Sequence, residues 1–160
     1  SYSDVYENVI FMSRNQSLSF DDMLFTCLNP VKNSGGLDGA NDYSLVFKMT
    51  YKEFDMLFTG DISERIEKEL VNISDCDVLK VAHHGSKNSS SEEFLNIVSP
   101  KIAVISAGQR NTYGHPHLET IERLKECGAG ILCTKDTGAI IISTDGHETR
   151  VGVKKRQSLF

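Results

Sequence analysis

The regular alternation of strand-like and helix-like segments is the feature that most constrains the fold of this chain. From residue 53 to residue 128, short apolar runs alternate with segments whose apolar residues recur at helical spacing. The segments follow one another in the order 53–59, 62–73, 77–82, 90–98, 101–108 and 115–128. This alternation is typical of a layered sheet with helices on the outside, so the pattern predicts an α/β domain.

Further strands flank this alternating region. Residues 22–28 form an apolar run that ends at Asn29-Pro30, and residues 43–51 are expected to form a hairpin with 53–59. Residues 29–44 are rich in Gly, Pro, Asn and Ser and predict a long loop. The apolar runs 129–134 and 138–144 predict a final hairpin.

Several residues predict how the helices begin and end. Ser90 and Glu93 match a capping box, and Pro100 follows the end of that helix. The helix at 115–128 has Pro116 at its start and Gly128 at its end, as helices often do. Each helix of the alternating region is therefore bounded by residues that suit its termini.

Composition and charge exclude several classes of function. The chain has 160 residues, of which 39% are hydrophobic, so one domain with a substantial core is expected. It lacks both an apolar run of membrane-spanning length and a signal-peptide pattern, which predicts a soluble chain. The formal charge of −5 argues against binding nucleic acid through bulk positive charge. The one basic cluster, 154–156, is interpreted as a solvated end.

The four cysteines, Cys27, Cys76, Cys127 and Cys133, have no C-x-x-C spacing. Most of them lie in or beside apolar runs. We therefore expect buried free thiols and, from them, a reducing compartment, with neither a disulfide framework nor a zinc knuckle.

Polar residues of catalytic type follow three successive strands. Asp61 follows the strand at 53–59, His83 and His84 follow the strand at 77–82, and His115 and His117 stand where the helix after 101–108 begins. Active-site residues of α/β sheets usually lie just beyond the carboxyl ends of the strands. Four of the five histidines and one aspartate are therefore expected to converge.

Each cluster also has a purely structural interpretation. Asp61 with Glu64 matches a helix cap, and His115 could cap the following helix. A single histidine at a strand end is commonly structural, and His117 could be an exposed first-turn residue. For His83 and His84 to share one site, the backbone has to turn sharply, which Gly85 permits.

Metal-assisted hydrolysis is the chemistry that this set of residues favours. Aspartate and neutral imidazole are metal ligands, and a bound metal lowers the pKa of water toward neutrality. A Ser–His–Asp triad would use Ser86 or Ser106, but the sequence has no G-x-S-x-G elbow. It also lacks a P-loop and a G-x-G-x-x-G fingerprint.

Four long strings resemble a known family: "YSLVFKMTYKEFDMLFTGDIS", "DVLKVAHHGSKNSSSEEFL", "PKIAVISAG" and "NTYGHPHLETIERLKECGA". They are similar to the C-terminal half of the metallo-β-lactamase-fold domain of ComEC-type competence proteins, which bring DNA across the bacterial membrane. The resemblance covers 22–146, with a leading segment 1–21 and a tail 147–160, all within one partial domain 1–160.

The resemblance implies an αββα sandwich, here as a half or partial domain, with a binuclear Zn²⁺ or Mn²⁺ site. Asp61 would bridge the two metals, and one histidine of the 83–84 pair would complete the second metal, with His83 favoured over His84. His115 would contact phosphate or protonate a leaving oxygen. The remaining positions that would line the substrate pocket are Ser86, Tyr113 and His117.

One departure from the family pattern is informative. The H-x-H-x-D-H motif of the fold is absent from the sequence, and no histidine precedes His83. Asp61 and one histidine are too few ligands for a metal site. We therefore expect that this chain lacks the other half of the site, and we prefer a partial domain to a naturally degenerate one.

The function expected of the complete domain is metal-dependent hydrolysis of DNA phosphodiesters during competence, although this chain alone should be inactive. The alternatives are hydrolysis of a small phosphoester or choline-type ester, a non-catalytic binding module of a DNA-uptake assembly, and a plain interaction domain. Expected partners are DNA, the missing N-terminal half, the membrane channel portion of a bacterial inner-membrane parent protein, and a second copy of the chain.

Overall fold

The computed structural model describes residues 9–32 and 39–154. In this part of the chain nine strands and four α-helices follow one another. Their bounds are β1 (Ser17–Phe20), β2 (Met23–Asn29), β3 (Val46–Tyr51), β4 (Phe54–Phe58), α1 (Glu64–Glu69), β5 (Val78–Lys80), α2 (Glu92–Val98), β6 (Ile102–Ile105), α3 (Leu118–Glu126), β7 (Gly130–Cys133), α4 (Thr134–Thr137), β8 (Ala139–Thr144) and β9 (Thr149–Lys154). The predicted α/β fold class is confirmed, with a mixed sheet and flanking helices.

Seven strands form one sheet in simple sequential order, β1 to β7. The strands β1 to β4 pair antiparallel, and β4 to β7 pair parallel. The parallel half coincides with the alternating region of the sequence, because each parallel connection there passes through a helix. The carboxyl ends of β4, β5 and β6 consequently lie side by side at one edge of the sheet.

The helices cover one face of this sheet. Leu57, Leu79 and Ala103 stand opposite one another on β4, β5 and β6 and belong to one buried cluster with Ile66, Phe94, Leu95, Val98 and Leu124 of the helices. Burial of these side chains, at about 25 cal/mol per Å² of apolar surface, is the main force that holds the helices on the sheet. The core therefore lies between the parallel strands and α1, α2 and α3.

The opposite face of the sheet carries an aromatic row. The ring of Phe47 lies 5.8 Å from that of Phe25 and 4.5 Å from that of Phe58, centroid to centroid. The hairpin β8–β9 forms a separate two-stranded sheet and contacts the sheet near the β3–β4 turn, where the Glu53 amide donates to the Gly146 carbonyl at 3.2 Å. The second sheet of the described residues thus has only two strands.

The prediction of a final hairpin between 129–134 and 138–144 is wrong. β7 instead pairs parallel with β6, a short helix follows it, and the partner of β8 is β9. Both apolar runs are strands, but β7 is the buried last strand of the parallel sheet. No local signal in these residues distinguishes this pairing from a hairpin.

Two predicted helix caps are also wrong. Ser91, and not Ser90, caps α2, since its hydroxyl accepts a hydrogen bond from the Phe94 amide at 3.3 Å. Ser90 instead has φ = 55°. Helix α1 begins after Ser63 with no side-chain cap, so Asp61 does not cap it. Strand β1, whose four residues are all exposed, was not predicted.

The four cysteines are free, and three of them are buried, as expected. Burial raises the pKa of the Cys76 thiol to about 12. Among residues 9–32 and 39–154, no helix has the length and apolar character needed to cross a membrane. Residues 1–8, 33–38 and 155–160, which include parts of the predicted leading segment, long loop and tail, lie outside the described residues.

Candidate metal centre

Asp61 follows β4 through a close turn at Gly60. Gly60 has φ = 55°, and a Cβ atom there would lie 2.7 Å from Cβ of Ser44, so only glycine fits. The Asp61 amide donates to Oγ of Ser44 at 3.1 Å. The backbone of Asp61 is therefore fixed by a side chain of the preceding loop, and its carboxylate is left free to face the neighbouring strand end.

His83 and His84 follow β5 in an unusual left-handed turn. The φ angles are 47° at His83, 56° at His84 and 83° at Gly85. Left-handed backbone costs roughly 1–2 kcal/mol at each non-glycine residue, so this turn needs compensating bonds. The His83 amide donates to the Gly60 carbonyl at 3.0 Å, and the Ser86 amide donates to the His83 carbonyl at 2.9 Å. This is the sharp turn that allows both imidazoles to lie at one site.

His84 is oriented toward Asp61. Its Nδ1 lies 2.7 Å from the Ser106 carbonyl at the end of β6, and a carbonyl can only accept, so Nδ1 carries the hydrogen. In the neutral ring Nε2 then holds the lone pair, and it lies 3.6 Å from Oδ2 of Asp61. A backbone carbonyl that fixes the ring in this way is the usual outer partner of a metal-binding histidine.

His83 has a different environment. Its Nε2 lies 3.4 Å from the side-chain nitrogen Nδ2 of Asn41. Because Nδ2 can only donate, the Nε2 lone pair of His83 faces the Asn41 side chain. Asn41 belongs to the short 3₁₀ helix Ala40–Tyr43. The buried Asn29 side chain holds the end of this helix by donating to the carbonyls of Asp42 and Ser44 at 2.9 and 2.8 Å.

His115 lies between the two histidines and the exposed loop 108–114. Its ring centroid is 5.6 Å from that of His83 and 6.3 Å from that of His84. Burial lowers the pKa of the His115 imidazole, and the nearby histidines lower it further. His115 is therefore mainly a neutral imidazole near pH 7, which can accept a proton at one ring nitrogen and donate a hydrogen bond from the other.

Asn111 fixes the backbone of His115. Its side-chain oxygen accepts from the His115 amide at 2.7 Å, and its nitrogen donates to the carbonyls of His115 and Gly108 at 2.8 and 2.7 Å. These three bonds close the loop that leads from β6 to α3. The sequence analysis missed Asn111, for which the only available signal was an asparagine in a loop that ends in glycine.

The remaining predicted residues, Tyr113, His117 and Ser86, differ in their exposure and in the groups that they contact. Tyr113 is 77% exposed, and its ring stacks on His115 at 5.8 Å. Nδ1 of His117 accepts from the Lys87 amide at 3.1 Å, so this ring links the start of α3 to the loop after β5. Ser86 is buried, and its hydroxyl accepts from the Asn88 amide at 3.3 Å.

The donor set partly fits a metal. Asp61 and His84 converge with their free electron pairs toward each other, which suits a cation between them. Within residues 9–32 and 39–154, however, no group of three or more His, Cys, Asp or Glu side chains is arranged to hold a metal ion. The site in this part of the chain thus supplies two well-placed ligands and needs others.

These features define a class of protein: a layered α/β domain with an aspartate and a histidine cluster at the carboxyl edge of its sheet. Residues 14–109, more than half of the chain, match the metallo-beta-lactamase superfamily. The chain belongs to this superfamily. A solved structure of a metal-dependent hydrolase from Parabacteroides distasonis shares the fold, with a TM-score of 0.55 and 14% identity over 83% of this chain and 60% of that one.

Two curated relatives confirm the resemblance to competence proteins. ComE operon protein 3 of Bacillus subtilis is 36% identical over 81% of this chain and 17% of its own length. Competence protein ComA of Neisseria gonorrhoeae is 35% identical over 78% of this chain and 18% of its own length. The chain therefore spans less than a fifth of the length of these relatives.

Proposed function

We propose that this chain is part of a metal-dependent phosphodiester hydrolase domain that acts on DNA during competence. The observation that carries the proposal is the convergence of Asp61 and His84. The two residues come from different strand ends, and the bond from His84 to the Ser106 carbonyl directs Nε2 toward the Asp61 carboxylate. Among the residues that the structure describes, His84 is the one side chain within pairing distance of this carboxylate, so the pair does not belong to a larger structural network.

The proposed metal centre is binuclear, with Zn²⁺ or Mn²⁺. Asp61 would bridge the two ions, and His84 is favoured as the ligand of the 83–84 pair, because the Nε2 lone pair of His83 faces Asn41. The other ligands would come from a segment of the domain with the H-x-H-x-D-H pattern, which this sequence does not contain. When bound, such ions activate water near neutral pH and stabilise negative charge on phosphate oxygens.

The chain's own residues then have distinct tasks. His115, whose pKa burial lowers, would be a neutral imidazole that donates its N–H to a phosphate oxygen or, after accepting a proton, delivers that proton to a leaving oxygen. Asn111 would keep His115 in place, and Tyr113 would form the outer rim. His117 would maintain the loop after β5 through its bond to the Lys87 amide. Ser86, which is buried, would support the turn beside the pocket through the bond from its amide to the His83 carbonyl.

The likeness to a relative named as a competence protein supports DNA as the substrate and a bacterial membrane protein as the parent. The remaining part of the domain would cover the aromatic row of Phe25, Phe47 and Phe58. A second copy of this chain is the other candidate for covering that face, and the membrane channel portion of the parent protein would deliver the DNA. The negative charge of the chain is no obstacle, since bound cations supply the local positive charge.

One observation favours a second candidate, a non-catalytic binding module of a DNA-uptake assembly. The residues that the structure describes contain no set of three metal donors. In that case Asp61 and the histidines would serve the stability of the strand ends.

The parent protein, purified with its domain entire and loaded with Mn²⁺ or Zn²⁺, tests both candidates. We expect cleavage of DNA that disappears with chelator and in Asp61→Asn, while Asp136→Asn, a matched substitution on α4, retains it. A small phosphodiester assayed in parallel separates a nuclease from an enzyme for small substrates. A metal-loaded protein that cleaves no phosphodiester would favour the binding module.

A further inference from the structure

We infer that Tyr113 is a stacking platform for an unpaired base, and that this site therefore takes single-stranded nucleic acid in preference to duplex. The inference rests on the proposed function, because it assigns the form of DNA that the same site accepts. It is carried by the exposure of Tyr113, by the geometry of the rings behind it and by the rigidity of its loop.

Tyr113 is the outermost ring of a short stack. Its plane is tilted by 21° from that of His115, and the plane of His115 is tilted by 23° from that of His84. The centroids in this series are separated by 5.8 and 6.3 Å. Three nearly parallel rings thus lead from solvent to the histidine that faces Asp61.

The other face of the tyrosine ring is open. The residue is 77% exposed, so the ring face turned away from His115 is accessible to a ligand. A planar base laid on this face would continue the ring series, and the strand would extend from that base toward His115 and His84. Stacking of this kind tolerates any base, because every base has a π-face.

The loop that carries Tyr113 is fixed before any ligand arrives. Asn111 bonds to the backbone of Gly108 on one side and of His115 on the other. Arg110 is exposed on the same loop, and Lys87 is exposed on the neighbouring loop, whose amide His117 holds. Both cations stand on loops that border the site, and they would neutralise phosphates of a strand whose base lies on Tyr113.

Away from its ends, duplex DNA cannot use this platform without distortion. Its internal bases are covered on both faces by their neighbours, so an internal base would have to leave the stack before it could contact Tyr113. A single strand presents its base faces at once. The ring therefore distinguishes the two forms of DNA by geometry and not by sequence.

The test is binding of this chain to a fluorescein-labelled single strand of about 12 nucleotides, followed by anisotropy with Mn²⁺ and separately with chelator. We expect Tyr113→Ala to raise the Kd about 5- to 100-fold, while Tyr113→Phe stays close to the wild type. Phe20→Ala removes another exposed ring, on the edge strand β1 at the opposite end of the sheet from β6 and β7, and should have no effect. The matching duplex should bind at least about tenfold more weakly.

Abasic substitutions in the strand make the test specific for stacking. An abasic site at one position of the strand should weaken binding to the wild type. The same abasic site should cause no further loss of binding to Tyr113→Ala. Arg110→Ala should lower the slope of log K against log salt concentration by about 0.7. Three results would overturn the inference. Tyr113→Ala could bind the single strand as tightly as the wild type, abasic sites could have equal effects at all positions, or the single strand could fail to bind in either buffer.

These outcomes are separable from those of the proposed function. A protein that cleaves no phosphodiester but loses single-strand binding in Tyr113→Ala supports the platform and contradicts the hydrolase. A protein that cleaves DNA with metal, and binds single strands equally well after Tyr113→Ala, supports the hydrolase and contradicts the platform.

Discussion

Oδ2 of Asp61 lies 3.6 Å from Nε2 of His84, although the two residues follow different strands and neither contacts the other through the backbone. The relationship depends on two tight turns, one at Gly60 and one over His83, His84 and Gly85. It also depends on the Ser106 carbonyl at the end of β6, which fixes the imidazole. Three adjacent strand ends thus cooperate to place one pair of donor atoms.

This geometry predicts which histidine of the pair matters more for metal. His84→Gln should weaken Zn²⁺ binding by the parent protein at least about tenfold, because it removes a ligand whose ring is already fixed by an outer partner. His83→Gln should have a smaller effect. Competition with a chromophoric chelator gives both affinities. His147→Gln, on the β8–β9 turn, is the matched control, and a larger effect of His83→Gln would reverse the assignment.

Gly85 should be important for the stability of the fold as well as for the turn that positions His83 and His84. A Cβ atom at this position, where φ is 83°, would lie 2.6 Å from Cβ of Pro116. Gly85→Ala is therefore expected to lower the free energy of unfolding by about 1–3 kcal/mol, through backbone strain and overlap together. Urea denaturation measures this loss.

Gly108→Ala is the control for Gly85, since a Cβ atom there meets nothing within 4 Å. Its free energy of unfolding should stay within about 0.5 kcal/mol of the wild type. A Gly85→Ala protein as stable as Gly108→Ala would mean that the turn after β5 can relax away from Pro116.

The sequence was sufficient for β4 to β6 and the helices that follow them because its signals there are local. Apolar runs and helical spacing identify β4 to β6 and α1 to α3 without knowledge of their partners. The same signals failed at β7 and β8, where two apolar runs separated by a few polar residues suit a hairpin equally well. Their actual partners, β6 and β9, are set by packing against the rest of the sheet.

The sequence predicted which strand ends form the candidate site, but it did not predict how the side chains there are oriented. Three polar clusters after three neighbouring strands imply convergence, and the rings of His83, His84 and His115 do lie close together. Which nitrogen of a histidine is free depends on backbone carbonyls and amides distant in sequence, such as the Ser106 carbonyl and the Asn41 side chain. No residue pattern encodes those contacts, so the preference between His83 and His84 required coordinates.

Asp77 should account for part of the decrease in the free energy of unfolding of the domain at acid pH. Burial raises the pKa of its carboxyl, but the bonds from Lys101 at 2.7 Å and from the Asp55 amide at 2.9 Å outweigh it, and the net pKa is lowered. A carboxyl whose folded pKa is lowered stabilises the fold above its unfolded pKa, about 3.9 for aspartate, and loses that contribution as pH falls. The stability of the wild type should therefore fall more steeply below about pH 4 than that of Asp77→Asn.

Urea denaturation at a series of pH values measures this difference. Asp75→Asn changes the same charge at an exposed neighbouring position and should leave the acid limb unchanged. Parallel curves for the wild type and Asp77→Asn would show that other carboxylates carry the acid sensitivity.

Asn111 offers a test of whether the loop 108–115 is held by side-chain bonds. Asn111→Leu removes all three of its bonds and should cost about 1–3 kcal/mol of unfolding free energy. Asn111→Asp keeps the oxygen that accepts from the His115 amide and loses only the two donor bonds. Hydrogen exchange at that amide should therefore stay slow in Asn111→Asp and become fast in Asn111→Leu, whereas Asn96→Leu on the exposed side of α2 should change neither quantity. Equal exchange in the two Asn111 variants would mean that the backbone alone holds His115, and that Asn111 does not position it.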